Sequence, residues 1–291
     1  MKLQQLRYFE AACQYHSITA AAEALHVSQP SISMAIRELE EEFDVKLTIR
    51  RYQGFSLTKE GEALWEMGAS LLRHAEQVER YMNDFSEAHH TIRIGVPPMV
   101  GTMVLPELYQ VFLRQYPQIF LAAEEHGTKA LLRGVLDNTL DLAFATHSGP
   151  LEQDFQAVSV SQTETVWCAT SDHPLAKQDR VTAEQLEGEP LVFFRSSFSQ
   201  HELVMRQFQA AGVRPWVLYE TEQLSMVHSL IQSGTASGFL LRSLAESLPG
   251  VQWVRLDPSM PMEISLVWDK RRKLTPDMRR LVNFYRGKGK L

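Results

Sequence analysis

Residues 17–40, SITAAAEALHVSQPSISMAIRELE, read as two short helices joined by a tight turn. Ser17 or Thr19 caps the first helix, whose apolar positions include Ala21, Ala22 and Leu25. His26 and Val27 form the turn. Ser28 caps the second helix, because its hydroxyl accepts from an otherwise unpaired backbone N–H of the first turn. Pro30 lies in that first turn, where its missing N–H costs nothing. Ile32, Ala35, Ile36, Leu39 and Phe43 recur at i, i+3, i+4, i+7 and i+11, which predicts one buried face. The other face begins with Gln29, Ser31, Ser33, Met34 and Arg37. Small hydrogen-bonding groups at a helix N-terminus suit the DNA major groove, where a Gln pairs bidentately with adenine. The helix pattern alone fits an ordinary amphipathic pair equally well.

The residues that follow favour DNA. Val45–Thr48 and Phe55–Leu57 are short β-like runs. Between them lies a basic turn with a glycine, Arg50, Arg51, Tyr52, Gln53 and Gly54. Two helices and a basic hairpin make a winged helix whose tip reaches phosphates or the minor groove. With Leu6, Phe9, Ser17, Thr19, Ala21, Ala22, Leu25, Ser28, Gln29, Pro30, Ser31, Ser33, Ile36, Leu39, Glu40, Leu47, Arg50, Leu57, Thr58 and Gly61, the region resembles the LysR-type transcriptional regulators. The resemblance runs the full length, more loosely after Glu87. It implies DNA contacts from Ser28, Gln29, Pro30, Ser31, Ser33, Met34, Arg37, Arg50, Arg51 and Thr58. Three departures stand out: Met34 replaces a usual Arg, Leu47-Thr48-Ile49-Arg50 replaces Leu-Phe-x-Arg, and Asp44 replaces a frequent glycine. Met34 removes a basic contact and puts the usual half-site preference in doubt.

The chain has 291 residues, a formal net charge of −6 and 44% hydrophobic residues. That length fits two or three compact units at roughly 100–200 residues each. An acidic chain repels nucleic acid in bulk, so affinity must come from Arg37, Lys46, Arg50, Arg51 and Lys59 clustered on one face. The acidic run Glu38, Glu40, Glu41 and Glu42 must then point elsewhere. No stretch approaches the roughly 20 apolar residues of a membrane span. MKLQQLRYFE is not read as a signal peptide. Two cysteines, Cys13 and Cys168, fit a reducing cytoplasm. Cys168 lies in an apolar run and is read as a buried structural thiol rather than half of a redox pair.

A long helix is expected from Thr58 to Phe85. Leu64, Leu71, Val78 and Phe85 repeat every seven residues, with Gly68, Ala75 and Met82 four residues after the first three. That two-seam pattern suits a partner helix, and so a dimer reading two half-sites. His89 and His90 mark an exposed linker rather than a metal site.

From Thr91 strands and helices alternate, predicting parallel sheets covered by helices. Strands are expected near 92–96, 120–123, 140–145, 165–169, 191–194, 217–219, 238–241 and 264–268. Helices are expected near 105–116, 129–136, 200–211, 223–233 and 276–285. Two Rossmann-like lobes result, linked by crossovers near Val160 and Ile264. The resemblance implies the same form, a periplasmic-binding-protein-like fold of two lobes. The expected organisation is a winged helix-turn-helix domain at 1–58, a linker and dimerisation helix at 59–88, and an α/β effector domain at 89–291. Lobe I spans about 91–160 and 266–291, and lobe II about 161–265.

Ligands in such folds sit at strand C-termini and helix N-termini. Those positions give Pro98, Met99, Val100, Thr102, Thr128, Lys129, His147, Arg195, Ser196, Ser197 and Phe198 as effector-binding candidates. Their hydroxyls and cations predict a small anionic effector, with a hint of an apolar body. Gly234 and Gly238 are read as a helix end and a turn rather than a phosphate loop. No catalytic motif or cofactor signature appears. The expected protein is therefore no enzyme. It is a cytoplasmic homodimer or homotetramer that binds promoter DNA and a small effector, with RNA polymerase as a further candidate partner. A solute-binding protein and a cleft enzyme are the disfavoured alternatives.

Overall fold

A computed structural model of the chain describes residues 1–50, 54–83 and 90–288. Internal contacts divide it into two units, Met1–Phe85 and Ser86–Leu291.

The first unit runs α1 (Leu3–Tyr15), α2 (Ile18–Ala24), α3 (Gln29–Phe43), β1 (Thr48–Arg50), β2 (Phe55–Leu57) and α4 (Lys59–Asn83). Ser17 caps α2 by accepting from Ala20 N–H at 3.2 Å, and Ser28 caps α3 by accepting from Ser31 N–H at 3.3 Å. Phe9, Ala12, Ala21, Ala22, Ile32, Ile36, Leu39 and Leu47 form its core. Two expected core positions are exposed. Leu25 falls at the end of α2, and Phe43 is the last residue of α3, beyond the reach of the core. Asp44 then turns the chain with φ of 51°, a left-handed conformation that explains why a glycine suits this position and why Asp is tolerated.

The first wing strand begins at Thr48, not at Val45 as the β-like run predicted. The reason is Glu40, whose Oε1 accepts from the backbone N–H groups of Leu47 (2.9 Å) and Thr48 (3.2 Å). A side-chain carboxylate thus replaces a strand partner there. Burial alone would raise the Glu40 pKa, but these bonds and the Lys46 ammonium outweigh it and hold the carboxyl low.

On α4, Thr58 Oγ1 accepts from Gly61 N–H at 2.9 Å. The seam expected to face a partner helix is divided. Leu64 packs on the core of its own domain, and Gly68 is buried, with space for a Cβ only 3.2 Å from Leu6 Cδ2. Leu72 completes this inward face. Leu71, Val78 and Met82 stay exposed, while Phe85 lies outside the described residues.

The second unit runs β3 (His90–Val96), α5 (Pro98–Glu107), a π turn (Leu108–Phe112), α6 (Leu113–Gln115), β4 (Ile119–Glu125), α7 (Thr128–Leu136), β5 (Leu142–His147) and β6 (Phe155–Ala169). It continues through β7 (Arg180–Val181), β8 (Pro190–Phe194), α8 (Ser199–Ala210), β9 (Trp216–Thr221), α9 (Leu224–Gln232), β10 (Ser237–Leu241), α10 (Arg242–Ala245), β11 (Gln252–Asp269) and α11 (Pro276–Lys288). The strands form one mixed sheet in the order β4-β3-β5-β11-β6-β10-β8-β9, with β7 beside β11. Parallel pairing joins β3 to β4 and β5, β8 to β9 and β10, and the short β7 to β11, whereas β6 and β11 are antiparallel to each other and to β10 and β5 respectively. The crossovers expected near Val160 and Ile264 are the middles of these two long strands. Their polar, half-exposed stretches, such as Gln156, Ser159, Ser161 and Gln162, hid the full length from an apolar-run reading.

α5 also starts earlier than expected, at Pro98 rather than near Leu105. Proline is pre-organised for the first helical position, so the Pro97-Pro98 pair opens a helix instead of extending a loop. Gly234 follows α9 with φ of 71°, as a helix end requires. Gly238 corrects the expected turn: it lies within β10, where an added Cβ would stand 3.0 Å from the Val192 carbonyl oxygen.

Asp141 locks lobe I. Its carboxylate accepts from Arg93 N–H at 2.7 Å and pairs with the guanidinium groups of Arg93 and Arg272. Burial opposes its charge, but Arg272 and Arg93 outweigh burial and hold its pKa below the ordinary value. Asp141→Asn is expected to cost about 3 kcal/mol in urea denaturation, because the buried Arg272 and the half-buried Arg93 lose their counter-charge. In the parent chain, the Asp141 contribution is present above the ordinary Asp pKa of about 3.9 and is lost as pH falls through the lower folded-state value.

Candidate functional site

In the first unit, the opening turn of α3 presents Gln29, Met34 and Arg37 to solvent, with Ser31 and Ser33 half-buried. Met34 is 60% exposed. Gln29 Nε2 donates to Ser33 Oγ at 2.8 Å, one turn on, which pre-orients its carboxamide. Ser28 Oγ lies 2.7 Å from Ser31 Oγ. Arg37 has no ion-pair partner among the described residues, so its charge is available. Lys46 differs from expectation, since it is paired with Glu40 at 2.8 Å. The Thr58 hydroxyl is also engaged, donating to Lys46 O at 2.6 Å while it caps α4. Arg50 closes the wing ladder opposite Phe55, while its side chain and Arg51 lie outside what is described. Three acidic residues of α3 are engaged within the unit: Glu38 accepts from Gln5, Glu40 accepts from the entrance to the wing, and Glu42 pairs with the N-terminal ammonium. Gly54 fits the wing with φ of +85° and room for a Cβ only 2.6 Å from the His16 carbonyl oxygen.

In the second unit, the two lobes meet through hydroxyls at the starts of α7 and α8. Thr128 Oγ1 is 3.1 Å from Thr146 Oγ1, which is 3.0 Å from Ser199 Oγ. Ser199 Oγ donates to the Thr146 carbonyl at 2.9 Å. Lys129 N–H donates to Ser197 O at 3.3 Å, so a carbonyl of lobe II occupies the N-terminus of α7. Thr128 and Ser199 are the first residues of their helices, and neither is its cap.

The expected cations are largely engaged or outward-facing. Lys129 Nζ pairs with Glu202 at 2.9 Å, and Glu202 also binds Arg206. These hydrogen bonds hold the Glu202 carboxyl below its usual range. His147 donates from Nδ1 to Gly149 O at 2.6 Å and lies 3.0 Å from Ser265 Oγ through Nε2. Arg195 and Ser196 are exposed. The first expected wall is corrected more sharply. Pro98, Met99 and Val100 are buried in α5, with Met99 and Val100 in the core, and the Thr102 hydroxyl donates back to Met99 O at 2.8 Å. Phe198 is likewise a core residue, and Ser197 Oγ reaches Glu222 at 3.4 Å.

Sequence reasoning missed Gln200 and Glu202. Gln200 is 4% exposed, and among the described residues neither its amide nitrogen nor its oxygen has a hydrogen-bond partner. It borders an apolar cavity with about 10 Å³ of water-accessible space, lined by Val192, Phe193, Phe194, His201, Val204 and Phe239. That is near the size of one water. Its place one residue after Ser199 was the only available signal.

Comparison with known proteins agrees with both halves. Residues 3–62 match the family described as "Bacterial regulatory helix-turn-helix protein, lysR family", and residues 86–290 match "LysR substrate binding domain". The chain belongs to the LysR family. It is a transcriptional regulator that binds DNA and a small-molecule effector, and its relatives are regulators rather than enzymes. It is 29% identical to the uncharacterized HTH-type transcriptional regulator YwbI of Bacillus subtilis, across 94% of this chain and 92% of YwbI. Full-length CbnR complexed with its target DNA has the same fold, with a TM-score of 0.69, 22% identity and 99% coverage of both chains. The effector-binding domain of QuiR in complex with shikimate matches with a TM-score of 0.60 and 21% identity, covering 70% of this chain and 98% of that one.

Gly127 tests the seam. A Cβ there would lie 2.5 Å from Ser197 O, although the backbone φ of −64° suits any residue. Gly127→Ala is therefore expected to separate the lobes locally. Hydrogen exchange at the amide of Lys129, which donates to Ser197 O, should accelerate by about tenfold or more, the effect of losing roughly one hydrogen bond's net stabilisation. Unchanged exchange would show that the close approach does not hold the lobes together.

Proposed function

We propose that this regulator senses a small anionic metabolite at the seam between its lobes and alters promoter binding and bending in response. The observation that carries the reading is the hydroxyl chain Thr128–Thr146–Ser199, which links the start of α7 to the start of α8 through the end of β5. Two helix N-termini of positive partial charge converge there, and one is stopped only by the Ser197 carbonyl. An anion that displaces that carbonyl would gain backbone N–H groups together with the hydroxyls of Thr128, Thr146 and Ser199. Lys129 would contribute only by leaving Glu202. Such a ligand favours one lobe arrangement over another, which is the condition for coupling to DNA. The setting is the cytoplasm, with RNA polymerase as a downstream partner. Among the described residues no helix is long and apolar enough to cross a membrane.

DNA reading is assigned to Gln29, Ser31, Ser33 and Met34 for bases, and to Arg37 with the wing arginines for phosphates. Gln29→Ala should relax base choice at one position by about 1–3 kcal/mol, whereas Arg37→Ala should weaken all sequences and lower the salt slope by about one. Binding titrations on operator variants at several salt concentrations separate the two. Equal losses on every variant would overturn the division. Footprinting with and without a metabolite that stabilises the full chain thermally tests the coupling, and an unchanged footprint at saturation counts against it.

The chain also works as a homo-oligomer in this reading. Leu71, Val78 and Met82 line an exposed stripe on α4, and both sheet edges carry exposed apolar side chains: Phe120 on β4, and Trp216, Leu218 and Tyr219 on β9. Exposed apolar surface of this extent marks association. Leu71→Glu with Val78→Glu should weaken the dimer by about 3 kcal/mol or more, read by sedimentation equilibrium, because two aliphatic side chains lose their burial.

A further inference from the structure

A second pocket lies away from the hydroxyl seam, on the ladder that joins the lobes. Strands β6 and β11 pair continuously from Met260↔Thr165 to Ile264↔Ser161, and register shifts bound this stretch on both sides. Beside it opens a cavity of about 430 Å³, lined by Gln162, Thr163, Glu164, Arg242, Ser243, Glu246 and Pro261. That volume suits a small metabolite.

Its charged groups are arranged with care for their partners. Arg242 donates from Nη1 to Glu164 at 3.1 Å and from Nε to Glu246 at 2.8 Å. Its guanidinium lies 4.6 Å from the centre of the Trp253 ring. Arg255 reaches the same Glu164 Oε1 at 3.1 Å. Among the described residues, Arg242 Nη2, Glu164 Oε2 and Glu246 Oε2 remain without partners. The pocket therefore offers a rigidly held donor edge next to two open carboxylate oxygens. Arg255, which holds Glu164 from outside the lining, brings the bonded network to two arginines and two glutamates.

We propose that this pocket is a second ligand site, one that takes a small zwitterion bearing a carboxylate and an ammonium close together, as a free α-amino acid does. The ligand carboxylate faces Arg242, and its ammonium faces Glu164 and Glu246. A singly charged ligand would unbalance the network, whereas a zwitterion adds one charge of each sign. The position gives occupancy a structural consequence. Ser243 N–H donates to Thr163 Oγ1 at 3.3 Å, and Ser243 Oγ contacts Met103 Sδ of α5 at 3.4 Å. The pocket wall thus reaches from the shared strands to a lobe I helix, so a ligand there stiffens the joint between the lobes.

Calorimetry on the full chain tests the site, using the free L-α-amino acids singly as probes, each against its amide and its N-acetyl derivative. At least one free amino acid should bind, with both derivatives weaker by about tenfold or more, the worth of one charge-assisted pair. Arg242→Met keeps the apolar stem over Trp253 and should weaken binding by a similar factor. Glu246→Gln, at an exposed position that the fold does not need, should weaken it severalfold and serves if the first variant is unstable. No heat from any amino acid with the parent chain would overturn the proposal. So would equal binding of the amides, or unchanged affinity in the variants, which would place the ligand elsewhere.

Discussion

The antiparallel pairing of β6 with β11 is the interaction on which the effector domain depends. These strands, 15 and 18 residues long, carry the sheet from one lobe into the other. Lobe I attaches through β5 to the C-terminal half of β11, and lobe II through β10 to the C-terminal half of β6. Backbone hydrogen bonds thus make a joint that covalent crossovers alone would leave loose. The register shifts at either end of its middle stretch are where such a ladder bends most readily. A sensor needs lobes that stay together yet change angle, and this ladder supplies both.

Each unit also uses a non-ladder acceptor to satisfy backbone N–H groups at the start of an element. Glu40 satisfies two N–H groups at the entrance to the wing, delaying the strand and fixing where the wing begins relative to α3. At the lobe seam the relation is reversed, and a backbone carbonyl from Ser197 fills the N-terminus of α7. The first arrangement is charge-assisted and stabilising. The second is a neutral contact that a better acceptor can replace, which suits a position meant to respond to a ligand.

Much of the DNA-binding half was legible because its signals are local. Ser17, Ser28 and Thr58 cap the helices they were expected to cap, and Ile32, Ala35, Ile36 and Leu39 are buried at helical spacing. Leu25 and Phe43 were misplaced because periodicity does not say where a core ends. On α4 the heptad pattern is divided: Gly68 packs against α1 of the same chain, while among the described seam residues Leu71, Val78 and Met82 stay exposed. A repeat in sequence gives a stripe, without stating which neighbour fills it.

The effector half divides differently. Alternating apolar runs gave the approximate order of the main strands and helices, the position of Thr128 at a strand end marked it as a candidate, and the resemblance pointed to the family. Tertiary structure decided the rest. It buried Pro98 in α5 and put Met99 and Val100 into the core, paired Lys129 with a glutamate 73 residues away, and merged two expected sheets into one. It also left the Gln200 amide buried without a partner among the described residues and gathered Arg242, Glu164 and Glu246 around a pocket. The physical reason is range. Capping, turn chemistry and hydrophobic period act within a few residues and are written in order along the chain, whereas charge pairing, close approach and desolvation depend on groups that only folding brings together.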